Sequence, residues 1–161
     1  MVAAAYGKTD IAKLIIDSGA NVNYRKRWMN ALYVALINKK YDTAKMLVEM
    51  GADVNSRFPN TTPLVAAIMA HQPVLAELMI EKNADVNGTA TELGWAPIMF
   101  AIQENQRSIV YLLLNKGADI HAEGGTESFG CITALDVARN NGNRELFNML
   151  RSLGAKKQCQ P

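Results

Sequence analysis

The side chains that could do chemistry in this chain are few. There are two histidines, His71 and His121, and two cysteines, Cys131 and Cys159. His121 and Cys131 stand ten positions apart, but a cysteine nucleophile needs a base and a third group to orient that base, and none accompanies them. Neither histidine belongs to a cluster of Cys, His or Asp at metal-ligand spacing, so no metal is expected. The cysteines lack zinc-like spacing, and the expectation is no disulfide framework and a reducing compartment. The stretch Glu123-Gly124-Gly125-Thr126-Glu127-Ser128-Phe129-Gly130 is glycine-rich. It lacks the Gly-Lys-Ser/Thr ending with which a phosphate loop holds its nucleotide. Its carboxylates, Glu123 and Glu127, read as solvated loop charge rather than an acid–base pair in a shielded pocket. Arg25-Lys26-Arg27, beside Trp28, is the one basic run. Three charges suit an acidic partner or a phosphate, but a nucleic-acid footprint needs a longer stripe. No catalytic constellation and no cofactor motif remain, so the chain reads as non-enzymatic.

Composition agrees. The net charge of +2 compels neither a nucleic-acid nor a membrane partner, and 49% hydrophobic residues across 161 positions permit a sizeable core. The start, Met1-Val2-Ala3-Ala4-Ala5-Tyr6, has no basic segment followed by an apolar one, and no run reaches membrane-spanning length. A cytoplasmic or otherwise intracellular protein is the expectation.

What organises the chain is repetition. Gly19-Ala20-Asn21-Val22-Asn23 recurs as Gly51-Ala52-Asp53-Val54-Asn55, Asn83-Ala84-Asp85-Val86-Asn87 and Gly117-Ala118-Asp119-Ile120-His121, with a partial Gly154-Ala155. The steps are 32, 32, 34 and 37 residues. A second motif precedes each later copy: Asn30-Ala31-Leu32, Thr62-Pro63-Leu64, Ala96-Pro97-Ile98 and Thr133-Ala134-Leu135, each running on to Ala35, Ala67, Ala101 or Ala138. From that alanine to the next Gly-Ala anchor is always 16 residues. Asn30, Thr62 and Thr133 suit helix N-caps, and Pro63 and Pro97 suit the first helical position. The glycines, and Asn83 in place of one, suit a left-handed residue that ends the second helix.

These motifs resemble the ankyrin family, whose T-P-L-H-x-A and G-A-D-V-N patterns recur at a period of about 33. The resemblance covers nearly the whole chain and implies an all-α ankyrin repeat solenoid of stacked helix-turn-helix units with short β-hairpin or loop tips. The domain would span 1–155, with repeats at about 1–23 (partial), 24–55, 56–87, 88–121 and 122–155, followed by a polar tail, 156–161. The apolar series Ile16, Val48, Ile80, Leu114 ends in Arg151, and Ala4, Leu36, Ile68, Ile102 ends in Arg139. Both changes mark 122–155 as a C-terminal cap. The first copy has no such device, since Ile11, Leu14 and Ile15 are as apolar as any internal copy. Either it is a short, imperfect first repeat, or the array continues upstream, and the apolar face favours the second.

The resemblance further implies a protein partner on the concave face, formed by the hairpin tips and the exposed side of each first helix. Carried over by position, the candidates are Lys26, Arg27 and Met29; Phe58 and Thr61; Leu93 and Trp95; and Phe129 at the tips. On the helices they are Ile37 and Asn38, Met69, Gln103 and Glu104, and Asn140. Aromatic tip residues either pack sideways on neighbouring tips or meet the partner. The leading function is a protein–protein interaction scaffold or adaptor, monomeric unless its N-terminal face pairs, binding no nucleic acid and not inserting into membranes. The alternatives are a regulatory segment docking in cis on a larger enzyme or channel, and a microbial effector mimicking a host adaptor. Asparagines like Asn55 are hydroxylated in some members of the family, and Asn55, with Leu47, Asp53 and Val54 before it, resembles an acceptor.

Overall fold

The computed structural model describes residues 1–89, 93–126 and 130–155; Phe129 and the tail 156–161 lie outside them. The described chain is a series of helix pairs: α1 (Val2–Ala5) with α2 (Thr9–Asp17), α3 (Ala31–Ile37) with α4 (Tyr41–Glu49), and α5 (Pro63–Met69) with α6 (Pro73–Glu81). Then come α7 (Pro97–Gln103) with α8 (Arg107–Asn115), a strand pair β1 (Glu123–Thr126) and β2 (Gly130–Thr133), and α9 (Ala134–Asn140) with α10 (Arg144–Ser152). It is the all-α, helix-turn-helix arrangement expected from the repeats. The chain forms two compact units, Met1–Ala84 and Asp85–Pro161.

Three of the first helices, α3, α5 and α9, start where their cap residues say. The side chains of Asn30, Thr62 and Thr133 accept from the backbone N–H of Tyr33, Val65 and Asp136. Thr133 and Asp136 close a full capping box. Pro63 and Pro97 occupy the first helical turn, where an absent N–H leaves nothing unsatisfied. A tight turn carries the chain into the second helix through a left-handed residue: Gly7, Lys39, His71, Asn105 or Gly142. His71 is thus an exposed turn residue. The second helices end on Gly19, Gly51, Asn83, Gly117 and Gly154, all at positive φ. Asn83, at φ 63°, is the substitution for glycine that this conformation tolerates best.

In the N-terminal unit the first helices form one row, α1 on α3 on α5, and the second helices another, α2 on α4 on α6. Ala35 and Ala67 are wholly buried where the helices come together, so a larger side chain there would force them apart. Leu32, Leu47, Leu64, Ile68 and Met79 fill the core. Each contributes ~1.5–3 kcal/mol through removal from water. In the C-terminal unit α7 packs on α9, and Ile98, Ile102, Ile109, Leu113 and Leu135 do the same work.

The G-A-D-V-N turns join consecutive copies. The first Asn or Asp of each accepts from the backbone N–H two residues on: Asn21 from Asn23, Asp53 from Asn55, Asp85 from Asn87, Asp119 from His121. The closing asparagine then reaches the next copy. Asn23 donates to the carbonyl of Gly51 (3.0 Å) and accepts from the N–H of Asp53 (2.7 Å). Asn87 does the same to Gly117 (3.1 Å) and Asp119 (2.8 Å), and Asn55 donates to the carbonyl of Asn83 (2.9 Å). His121, in the fourth copy, keeps only the backbone half of the pattern among these bonds, and its Nδ1 is enclosed without a hydrogen bond.

One sequence expectation is corrected. Cys131 is disulfide-bonded; the chain's other cysteine, Cys159, lies outside the described residues. A disulfide depends on local geometry rather than on spacing in the sequence. The cysteines therefore lend no support to a reducing compartment.

Candidate partner-binding surface

The tips of the N-terminal unit are short. Lys26 pairs with Met29 and Phe58 with Thr61, each as a single antiparallel bridge. A chain of edge-on aromatic contacts links them through α3: Trp28 to Tyr33 at 5.1 Å, and Tyr33 to Phe58 at 4.6 Å. Of the two readings of Phe58, sideways packing is therefore the one the structure has, and the residue is only 7% exposed. Met29 and Thr61 are half-buried at the bases of the tips. Lys26 and Arg27 are exposed, and Arg27 takes a left-handed φ of 59° at the tip.

One turn beyond Tyr33, on the same side of α3, Ile37 is 55% exposed. Its counterpart on α5, Met69, is 52% exposed. The sequence-predicted pair thus stands in solvent on neighbouring helices. Asn38 is exposed but bonded within its own helix end, to the carbonyl of Val34. Trp28 (44%), Tyr24 and Tyr6 extend the exposed apolar surface of this unit, and Arg57 adds a cation at the position matching Arg25. Trp28 and Arg57 were absent from the sequence-based selection, although the 32-residue step from Arg25 to Arg57 was a signal for the latter.

The C-terminal unit treats its candidates differently. Leu93 and Trp95 are half-buried beside the β1–β2 hairpin, not projecting from a tip. The carbonyl of Leu93 accepts from the N–H of Gly125 at 2.6 Å. A Cβ on Gly124 would lie 2.4 Å from Trp95 Cδ1, so only glycine lets strand and indole come this close. The indole also leans on Phe100, 5.4 Å between centroids, and its Nε1 is enclosed without a hydrogen bond. The longer connection before α9, five residues more than the early repeats have, supplies the hairpin that covers it. Trp95 is therefore largely a packing residue. Gln103 and Asn140 are exposed and Glu104 half-buried. Asn141 donates to the carbonyls of Ile102 and Gln103, at 3.1 and 2.7 Å, while Arg107 pairs with Glu145 and Asn143 with Asn105. Among the described residues no group of three potential ligands could hold a metal. No helix of the described residues is long and apolar enough to cross a membrane.

A family model described as ankyrin repeats (3 copies) matches residues 1–58 and 57–124. The chain belongs to the ankyrin repeat family. Ankyrin repeats are generally protein–protein interaction modules and typically carry no catalytic activity. No curated protein matches the chain. The family match stops short of the last helix pair, whose capping threonine, buried Ala138 and left-handed Gly154 nevertheless repeat the ankyrin pattern.

Proposed function

We propose that this ankyrin chain is a non-enzymatic scaffold or adaptor that takes a protein partner on its first-helix and tip surface, the concave side in this family. The observation that carries the reading is the pair Ile37 and Met69, two large apolar side chains more than half exposed at matching positions of adjacent helices. Isolated exposed apolar residues are ordinary, whereas a row of them at repeat spacing supports a partner site. Once a partner has been captured by pull-down and identified by mass spectrometry, Ile37→Ala and Met69→Ala are made singly. At least one should weaken binding by ~2 kcal/mol or more, since few residues dominate an interface. Exposed residues of the second helices (Lys45, Glu77, Asn115) are the controls and should leave affinity unchanged. If the controls abolish binding while Ile37 and Met69 do nothing, the surface is the wrong one.

A second reading, a regulatory segment docking in cis on a larger protein, has support of its own. Ile11, Leu14 and Ile15 on α2 are exposed, while their counterparts Thr43, Met46 and Leu47 on α4 are buried. A further body against α2 would bury the same face there. The two readings separate when the longer reading frame, if one exists, is expressed and the exposure of α2 is measured by hydrogen exchange.

A further inference from the structure

Charge is sorted by position in the N-terminal unit. The segments that build its tips, its first helices and the turns after them, residues 24–40 and 56–72, carry six cations (Arg25, Lys26, Arg27 and Arg57 in the tip segments, Lys39 and Lys40 in the turn into α4) and no carboxylate. All six cations are exposed. The unit's acids lie elsewhere: Asp10, Asp17, Asp42, Glu49, Glu77 and Glu81 on the second helices, and Asp53 in a G-A-D-V-N turn. Among the described residues the ion pairs are Lys45–Glu49, Arg107–Glu145 and Arg139–Asp136, so none of these six is neutralised by one of them. A net charge of +2 for the chain conceals this, because the carboxylates lie on the second helices of this unit, in the G-A-D-V-N turns and in the C-terminal unit.

The cations share their surface with the exposed apolar side chains. Trp28 is in the same tip as Arg25, Lys26 and Arg27, and its ring contact with Tyr33 ties that tip to the helix that displays Ile37. Apolar anchors with a cationic surround and no opposing carboxylate fit one chemistry. We propose that this surface docks an acidic polypeptide segment carrying aliphatic or aromatic anchors. The proposal rests on the protein-binding reading above and narrows it to a class of partner. Apolar anchors would supply affinity by leaving water, and the cations would speed encounter and reject basic competitors. A nucleic acid would use the cations but gain little from Ile37 and Met69, since it is read through phosphates and base edges or stacked bases.

The test is a selection of phage-displayed random linear peptides on the full chain. Recovered peptides should be enriched in Asp and Glu together with Leu, Ile, Phe, Trp or Met. The triple variant Arg25→Glu/Lys26→Glu/Arg57→Glu, with helicity confirmed by circular dichroism, should weaken the best peptide by at least about tenfold, and added salt should weaken the parent complex. Arg27 is left intact because its left-handed backbone would confound the result. Ile37→Ala/Met69→Ala should also weaken the peptide, and Lys13→Glu on α2 should not. Neutral or basic selected peptides, or indifference to the triple variant or to the Ile37/Met69 pair, would overturn the acidic-anchor proposal while the protein-binding reading stands. Recovery of no peptide, or displacement of every peptide by oligo(dT), would overturn both.

Discussion

The two units use one helix pair as a scaffold and finish its surface in opposite ways. In the N-terminal unit the exposed positions of the first helices are Ile37 and Met69, and the tips are basic. In the C-terminal unit the positions matching Ile37 are Gln103 and Asn140, and the sequence 88–106 has Glu92, outside the described residues, and Glu104 but no Lys or Arg. The side chains of the second unit are also engaged. Asn141 bridges to α7, Arg107 pairs with Glu145, and the hairpin covers Trp95. Surface side chains that bond to their own fold stabilise it, whereas those left in water remain available to something else. By that measure the N-terminal unit leaves Ile37 and Met69 free for the proposed partner, and the C-terminal unit commits more of its own side chains to the fold.

The sharpest way to break this comparison is to truncate the large side chain each unit was expected to offer. Trp95→Ala should cost about 3 kcal/mol of stability, at the low end for a tryptophan because the ring is only half-buried. Ile37→Ala should stay within ~0.5 kcal/mol. Urea denaturation of both variants decides it, and equal losses would mean that Trp95 is no more structural than Ile37. A smaller effect separates two asparagines near the ends of first helices. Asn141 bonds to a neighbouring helix and Asn38 to its own. Asn141→Ala should lose about 1 kcal/mol, whereas Asn38→Ala should be nearly silent. Hydrogen exchange in α7 should rise for the first and stay unchanged for the second. Little stability change is expected for Arg151→Leu, which makes α10 resemble α4 at the position of Val48. Folding free energy should move by no more than ~0.5 kcal/mol, while analytical ultracentrifugation should show concentration-dependent self-association through the new apolar patch. A monomer stabilised by several kcal/mol would mean that Arg151 does not lie on an exposed face.

Much of the scaffold was legible because local chemistry and long-range pattern agree. A threonine or asparagine at a fixed distance before an apolar run, and a glycine at a fixed distance after the next, prescribe two helices and their ends. Even the exception at Asn83 obeyed the same backbone rule. The surface was less legible, since exposure depends on what an insertion does. Nothing in the residues around Trp95 announces that a later hairpin will fold over it, and Gly124, which makes the approach possible, looked like part of a featureless glycine-rich loop. Phe58 stood between two readings until its contact with Tyr33 settled where the ring goes. The gathering of cations in the tips and turns of the N-terminal unit was written in the sequence, but it emerges only once each segment is assigned to its place in the fold.

The asparagine bonds between turns have a consequence for how such a molecule changes over generations. Asn23, Asn55 and Asn87 reach main-chain atoms of the following copy, the carbonyls of Gly51, Asn83 and Gly117 and, for Asn23 and Asn87, the amides of Asp53 and Asp119 as well. A bond to the main chain does not ask which side chain the neighbour carries. A copy can therefore be duplicated, lost or exchanged by recombination and still find its place, and the residues at the tips are free to drift toward new targets without renegotiating the joint. The same joint accepts glycine or asparagine as its acceptor, as it does at Asn83, so the grammar of the array survives changes in its vocabulary.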